Sequence, residues 1–284
     1  MLHKIEFVLN VTHYLLLGME LLVYICPEYR KMIYHYNETS LFYNISGKGP
    51  VVVLLHGFLE SSTMWARLVP KLAIDKTILT IDLPGHGKSG CLTTVHSMEA
   101  MAEAVNALLI HLQIESASFI GHSMGGYVGL AFLEANVQKV DGLTLLNSTT
   151  RKDTLAQKQN RNRAVRIISE NKKVFINNIM NLLFIESSHK SYASEIALLK
   201  KEAMAFSTQG IVAAIQGMRD RPDRTEVFKS FDGDKLIICG EEDQVVPISV
   251  SKEIATVTNS GLKILKGGHM SWIENFDELL KSCT

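Results

Sequence analysis

Short apolar runs alternate with helical patterns along most of the chain. The run at Val51–Leu55 is unbroken, which is typical of a parallel strand buried on both faces. The other strands are predicted at residues 33–36, 41–45, 77–82, 117–120, 140–147, 236–240 and 262–265. Helices are predicted at residues 97–112, 124–134, 248–257 and 272–280. This order predicts an α/β fold with a mostly parallel central sheet flanked by helices.

Residues 149–221 break this alternation. Their periodicity is helical throughout, and no convincing strand pattern occurs among them. We therefore expect a core formed by residues 32–148 and 222–284, with residues 149–221 inserted as a helical cap. Such a cap would cover the carboxyl edge of the sheet, where α/β folds bind their ligands.

The first 31 residues differ from the rest of the chain and are predicted to form an apolar helical extension. Residues 5–26 are largely apolar, but Glu6 and Glu20 interrupt them. Because an acidic residue inside a membrane span is costly, a helix packed on the domain is favoured over a membrane anchor. Contact of residues 5–26 with a membrane remains the alternative, and a functional chain beginning at Met32 is a third interpretation.

Composition narrows the classes of function. Over 284 residues the chain is 46% apolar and 20% charged, and its formal net charge is zero, which gives no electrostatic reason to expect nucleic-acid binding. The four cysteines lie far apart without a C-x-x-C pair. This spacing favours reduced thiols and a cytoplasmic location over a disulfide framework or a zinc site. Since the histidines also lack a metal-binding spacing, neither a metal nor a cofactor is predicted.

The segment GHSMGG, residues 121–126, follows a predicted strand and opens a predicted helix. G-x-S-x-G in this context is the nucleophile elbow, a sharp turn that lifts the Ser123 hydroxyl above the sheet. Its glycines remove side chains that would collide in the turn, and the helix N-terminus places a positive dipole end near the serine. A chance occurrence of the motif is the alternative, and the strand and helix around it argue against chance.

A serine nucleophile needs a base and a group that orients the base. His269 lies in KGGHMSW, after a predicted strand and two glycines, and Asp243 lies in GEEDQVVP, after another strand. The chain order Ser123, Asp243, His269 is the order of an α/β-hydrolase triad. The neighbouring Glu241 and Glu242 are alternatives to Asp243, but they are more typical of solvated turn residues.

Acyl transfer also needs two donors for the developing oxyanion. The amide of Met124, directly after the serine, is one candidate, and the amide of Phe58 in HGF is the other. His56 in the same loop is expected to have a structural role. Substrate contacts are predicted for three neighbours of these groups, namely Leu59, His122 and Met270.

In this order, the motifs HGF, DLPGHGKSG, GHSMGG, GEEDQVVP and GGHM resemble the α/β-hydrolase superfamily. Among its members, the chain is similar to cap-bearing serine hydrolases of the esterase or lactonase type. The resemblance covers residues 33–282. It implies that Asp82 and His86 hold loops together, and that His122 packs behind the elbow and points away from the nucleophile.

Serine at the elbow indicates the reaction. Relatives that open epoxides or displace halide have aspartate there, whereas serine with a histidine base implies attack on a carbonyl, an acyl-enzyme and hydrolysis by water. The apolar segment 174–185 of the cap favours a small or medium ester or lactone over a sugar. The expected partner is therefore a small-molecule, ester-like substrate.

Two other functions remain open. A carbon–carbon bond hydrolase, or a pyruvate-eliminating lyase of menaquinone synthesis, would use the same triad on an acidic substrate. Residues 151–173 contain eight Lys or Arg and two Asp or Glu, which favours an acidic substrate. A solvated helix face is, however, the more common reason for such a basic run. A binding protein without catalysis is the third hypothesis, and the intact Ser, His and Asp set argues against it.

Overall fold

The computed structural model describes residues 30–283, which form one eight-stranded sheet. Residues 1–29 of the predicted extension lie outside the described residues, whereas Arg30 and Lys31 belong to the first strand. The strands are β1 Arg30–Tyr36, β2 Thr39–Ser46, β3 Val51–Leu55, β4 Thr77–Ile81, β5 Ala117–His122, β6 Val140–Leu146, β7 Asp234–Gly240 and β8 Gly261–Leu265.

The sheet is mostly parallel, as predicted. Its strand order is β1-β2-β4-β3-β5-β6-β7-β8. The pairs from β4 through β3, β5, β6 and β7 to β8 are all parallel. Only the hairpin of β1 and β2 at one edge, and the pairing of β2 with β4, run antiparallel among the described strands.

The helices flank this sheet and connect its strands. They are α1 Val69–Leu72, α2 Met98–His111, α3 Met124–Ala135, α4 Leu155–Leu183, α5 Ser188–Ser191, α6 Ala193–Ala205, α7 Thr208–Asp220, α8 Thr225–Ser230, α9 Ile248–Thr258, α10 Ser271–Glu274 and α11 Phe276–Cys283. The prediction of one continuous helix at residues 272–280 is wrong, because this segment forms two helices. Asn275 leaves helical geometry (φ −146°, ψ 53°) and separates α10 from α11.

Both faces of the sheet are buried, which explains the unbroken apolar run of β3. Because successive side chains of a strand point to opposite faces, Val53 and Leu55 pack into one core with α2 and α3. Val52 and Leu54 pack into a second core on the opposite face, together with Trp65. A strand between two cores needs apolar residues at consecutive positions.

The segment between β6 and β7 contains α4 to α7, here called the cap helices. Thr154 and Gln157 form a capping box that starts α4. Gly210 of α7 lies so close to Gly85 that a Cβ atom on Gly210 would lie 2.5 Å from the Gly85 carbonyl oxygen. Contacts of this kind hold the cap helices on the core, although the division into domains remains a prediction. None of the helices within residues 30–283 combines the length and the apolar character that a membrane span requires.

Candidate active site

The predicted site residues meet at the carboxyl edge of the parallel strands. Ser123 directly follows β5, Asp243 follows β7 and His269 follows β8. The loop with Phe58 follows β3. Parallel strands bring their carboxyl ends to one edge, so residues far apart in the chain become neighbours there.

The elbow at Ser123 is strained, and its glycines are required. Ser123 has φ 48° and ψ −111°, a region that side-chain-bearing residues rarely adopt. A Cβ atom on Gly121 would lie 2.5 Å from the Gly125 backbone. One on Gly125 would lie 2.2 Å from the carbonyl oxygen of Leu55. The two glycines therefore let the strand, the turn and α3 approach each other closely enough to present the serine.

Ser123, His269 and Asp243 form one hydrogen-bonded chain. The Ser123 Oγ lies 2.9 Å from the His269 Nε2, and the His269 Nδ1 lies 2.8 Å from the Asp243 Oδ2. Only 9% of Ser123, 3% of His269 and 4% of Asp243 is exposed. With the proton on Nδ1 donated to Asp243, Nε2 is free to accept the serine proton, which is the arrangement of a general base.

Asp243 is held as an anion by hydrogen-bond donors. Its Oδ1 accepts the amides of Val245 at 2.8 Å and Val246 at 2.9 Å, and its Oδ2 accepts the Asn147 side-chain amide at 3.0 Å. Burial opposes ionisation, but His269 and these donors outweigh it and keep the pKa of Asp243 below its ordinary value. The carboxylate can therefore stabilise a cationic imidazole ring.

The loop with His269 is tied to the cap and to α10. The His269 amide donates to the carbonyl of Leu183, the last residue of α4, at 3.1 Å. The Gly268 amide donates to the Glu274 carboxylate at 2.6 Å, and the Asn147 side chain donates to the Gly268 carbonyl at 3.2 Å. These bonds fix the direction of the imidazole before any ligand arrives.

The loop after β3 and the start of α3 each contribute one of the amides that sequence reasoning assigns to the oxyanion. Within residues 30–283, neither the Phe58 nor the Met124 amide donates a hydrogen bond. The preceding Gly57 amide, by contrast, donates to Glu60 at 2.7 Å. Leu59 turns the loop in the left-handed region (φ 64°) and is fully buried in the core. The two amides that sequence reasoning assigns to the oxyanion are thus free donors.

His56 and Asp82 connect neighbouring loops, and the His86 ring lies beside the His56 ring. The His56 Nε2 accepts the Leu83 amide at 2.8 Å, so its Nδ1 carries the proton and donates to the Gly57 carbonyl at 2.7 Å. Asp82 accepts two amides of neighbouring loops at 2.7 and 2.8 Å. Burial and the nearby His56 lower the pKa of His86 to about 3, so this ring stays neutral.

Glu60 and His122 form a buried ion pair beside the triad, which sequence reasoning missed. Each is 1% exposed, and the Glu60 Oε2 lies 2.8 Å from the His122 Nδ1. The His122 Nε2 lies 3.0 Å from the His269 carbonyl oxygen. Burial opposes both charges, but their attraction prevails, since it lowers the pKa of Glu60 and raises the pKa of His122. Because both ring nitrogens face acceptors, His122 is an imidazolium that donates twice.

The same carboxylate connects three loops of the site. Besides His122, Glu60 accepts the Gly57 amide at 2.7 Å and the Trp272 indole N–H at 3.2 Å. It thereby joins the loop after β3, the elbow, and the segment after His269. The sequence around Glu60 does not predict that it is buried and connects these loops. An isolated glutamate is usually exposed to solvent.

A small cavity of about 60 Å³ lies next to the serine hydroxyl. Of the three predicted substrate contacts, His122 and Met270 line it, whereas Leu59 lies in the hydrophobic core instead of the cavity wall. His122 also contacts the loop that carries His269, through the His269 carbonyl oxygen. Among residues 30–283, we find no group of three His, Cys, Asp or Glu side chains that could bind a metal ion. The cavity is lined by Phe58, Glu60, His122, Ser123, Tyr127, Arg161, Ile179, Leu183, Met218, Val245, His269 and Met270.

Comparison with known proteins identifies the family. The model of the α/β-hydrolase fold family matches residues 50–276, so the chain belongs to that family. A thermophilic esterase from Thermogutta terrifontis, in a malate-bound structure, superposes with a TM-score of 0.83 at 26% identity. This superposition covers 90% of the chain and 97% of the esterase.

Curated relatives match over different lengths. The pimeloyl-[acyl-carrier protein] methyl ester esterase of Xylella fastidiosa is 25% identical over 254 residues, which are 84% of the chain and 95% of that esterase. An uncharacterized protein of Mycobacterium tuberculosis is 38% identical over 106 residues. That match covers 37% of the chain and 31% of the relative, so the chain spans about a third of this relative's length.

Proposed function

We propose that the chain is a serine hydrolase that cleaves a small or medium carboxylic ester or lactone through an acyl-enzyme at Ser123. The observation that carries this proposal is the unbroken chain of hydrogen bonds from the Ser123 hydroxyl through His269 to Asp243. Membership of the α/β-hydrolase fold family supports it. So do the esterases of Thermogutta terrifontis and Xylella fastidiosa, to which the chain is similar over most of its length.

In the first half-reaction, the Ser123 Oγ attacks the carbonyl carbon while the His269 Nε2 takes its proton. The carbonyl oxygen becomes an anion and accepts hydrogen bonds from the amides of Phe58 and Met124, which donate to no other group among residues 30–283. Asp243 stabilises the imidazolium that forms. The tetrahedral intermediate then collapses, the bond to the alcohol oxygen breaks, and this oxygen receives the proton from His269.

In the second half-reaction, His269 takes a proton from water, and the resulting hydroxide adds to the acyl carbon. Collapse of the second intermediate breaks the bond to the serine oxygen, which receives the proton back from His269. The product is a carboxylic acid and the free enzyme. A lactone follows the same path, except that acid and alcohol leave as one molecule.

The apolar wall of the cavity supports a substrate with an apolar chain. Ile179 and Leu183 of α4, together with Val245 and Met270, line the space next to the serine. A carbohydrate would leave its hydroxyl groups without partners against such a wall, which costs free energy for each unpaired group.

A panel of p-nitrophenyl esters with acyl chains of two to eight carbons tests the proposal. We expect Ser123→Ala to lower kcat by about 10⁴-fold or more. Ser116→Ala is the matched control, since this serine lies outside the cavity and bonds Asp141. Retention of near-normal turnover by folded Ser123→Ala would refute the mechanism.

A further inference from the structure

One wall of the cavity contains a cation whose charge the site does not neutralise. The side chains lining the cavity that can carry a charge near neutral pH are Glu60, His122, Arg161 and His269. Glu60 and His122 compensate each other as an ion pair at 2.8 Å, and His269 belongs to the triad. Arg161 of α4 is therefore the remaining ionic group that faces the space next to Ser123.

Arg161 is only partly paired. Its Nε donates to the Asp153 Oδ2 at 3.1 Å. The other oxygen of Asp153 accepts the Arg221 Nη1 at 2.6 Å. One buried carboxylate is thus shared by two guanidinium groups, which leaves one net positive charge. Within residues 30–283, the Nη1 and Nη2 atoms of Arg161 donate no hydrogen bond, and 26% of its side chain is exposed.

The partner that anchors Arg161 is itself rigidly held. The side chains of Asp153 and Arg221 are 1% and 4% exposed. Arg221 also donates to the Met218 carbonyl at 2.6 Å and stacks on the Tyr127 ring, 4.0 Å from its centroid. A guanidinium oriented through its Nε in this way presents its free edge without a large loss of side-chain entropy when a ligand binds.

A carboxylate fits this edge. Guanidinium and carboxylate groups match in a planar, bidentate geometry. Phe58, Ile179, Leu183 and Met218 make other parts of the wall apolar, and a carboxylate placed against them would be desolvated without a partner. The other basic residues of segment 151–173 do not line the cavity, so a solvated helix face describes most of that run but not Arg161.

We infer that Arg161 determines specificity by binding a free carboxylate of the substrate. The inference rests on the proposed function and refines it: the substrate is an ester or lactone with a second, ionised carboxyl group, separated from the reacting carbonyl by an apolar spacer. Half-esters of dicarboxylic acids belong to this class.

Kinetics with a matched pair of substrates test this inference. Mono-p-nitrophenyl glutarate carries the carboxylate, and p-nitrophenyl pentanoate is its neutral counterpart. We expect Arg161→Gln to lower kcat/KM for the glutarate about 10- to 100-fold, mainly by raising KM, because a charge-assisted pair is lost. The pentanoate should change less than about twofold, and Arg161→Lys should be intermediate because it keeps the charge but not the fork.

Arg166→Gln is the control, since Arg166 is an exposed arginine of the same helix and should leave both substrates unaffected. An equal effect of Arg161→Gln on the two substrates, or no effect, would overturn the inference. A wild-type protein that hydrolyses neither ester would refute the proposed function instead.

A binding measurement tests the carboxylate site even if the wild-type protein hydrolyses neither ester. Monomethyl glutarate should bind the folded Ser123→Ala variant in calorimetry, and adding Arg161→Gln to that variant should weaken binding by about the same 10- to 100-fold. Equal affinity of the two variants, or no binding to either, would refute the carboxylate site itself. This result does not depend on whether the chain turns over esters.

Discussion

The buried pair of Glu60 and His122 gives the sharpest prediction for stability. In Glu60→Gln the side chain keeps its shape and loses its charge. His122 then either remains a buried cation without a counter-ion, or becomes neutral and gives up its charge-assisted hydrogen bond to residue 60. Breaking a buried ion pair by removing one partner costs about 3–5 kcal/mol, and we expect the free energy of unfolding to fall by about this amount.

The pH dependence of this penalty follows from the two pKa shifts. The contribution of Glu60 is present above the ordinary carboxyl value of 4.5 and is lost as the pH falls through its lowered pKa. The contribution of His122 is present below the ordinary value of 6.5 and is lost as the pH rises through its raised pKa. The difference in free energy of unfolding between the wild type and Glu60→Gln should therefore be largest between about pH 4.5 and 6.5 and smaller on either side.

Urea unfolding across this pH range is the assay, with Glu242→Gln as the matched control. Glu242 is exposed in the turn before Asp243, so its variant should stay within about 0.5 kcal/mol of the wild type. The double variant Glu60→Gln/His122→Gln should lose less than the sum of the single variants, because neither charge is then left alone. Additive losses, or a penalty that does not change with pH, would refute the ion pair.

Further predictions concern the triad and the elbow. Asp243→Asn should lower kcat by about 10⁴-fold, because an amide favours the wrong tautomer of His269; stopped assays with Glu242→Gln as control check this, and a loss below tenfold would contradict it. Gly125→Ala places a Cβ atom 2.2 Å from the Leu55 carbonyl oxygen, so we expect it to prevent folding of the elbow. Circular dichroism and the yield of soluble protein measure this, and a folded variant with full activity would contradict it.

The sheet and the elbow could be predicted because their signals are local. A consecutive apolar run such as Val51–Leu55 requires a strand buried on both faces. The glycines around Ser123, between a strand and a helix, are typical of a nucleophile elbow. Asp243 and His269 could be proposed because each directly follows a strand of a parallel sheet, which fixes the edge at which they lie.

The rest depends on contacts that sequence patterns do not contain. Glu60 and His122 are 62 positions apart and pair only because two loops meet at the sheet edge. Arg161 lies in a basic run of which no other member lines the cavity. The break between α10 and α11 lies at Asn275, whose backbone leaves helical geometry although the apolar pattern continues across it.

Labelling with a fluorophosphonate, followed by peptide mapping, tests the central claim most directly. The reagent phosphonylates a serine only when a base and an oxyanion hole activate it. We predict one adduct per chain, on Ser123, with no adduct in folded Ser123→Ala and much slower labelling of Asp243→Asn. A folded wild-type protein that stays unlabelled, or that is labelled at another residue while Ser123 remains free, would contradict the account.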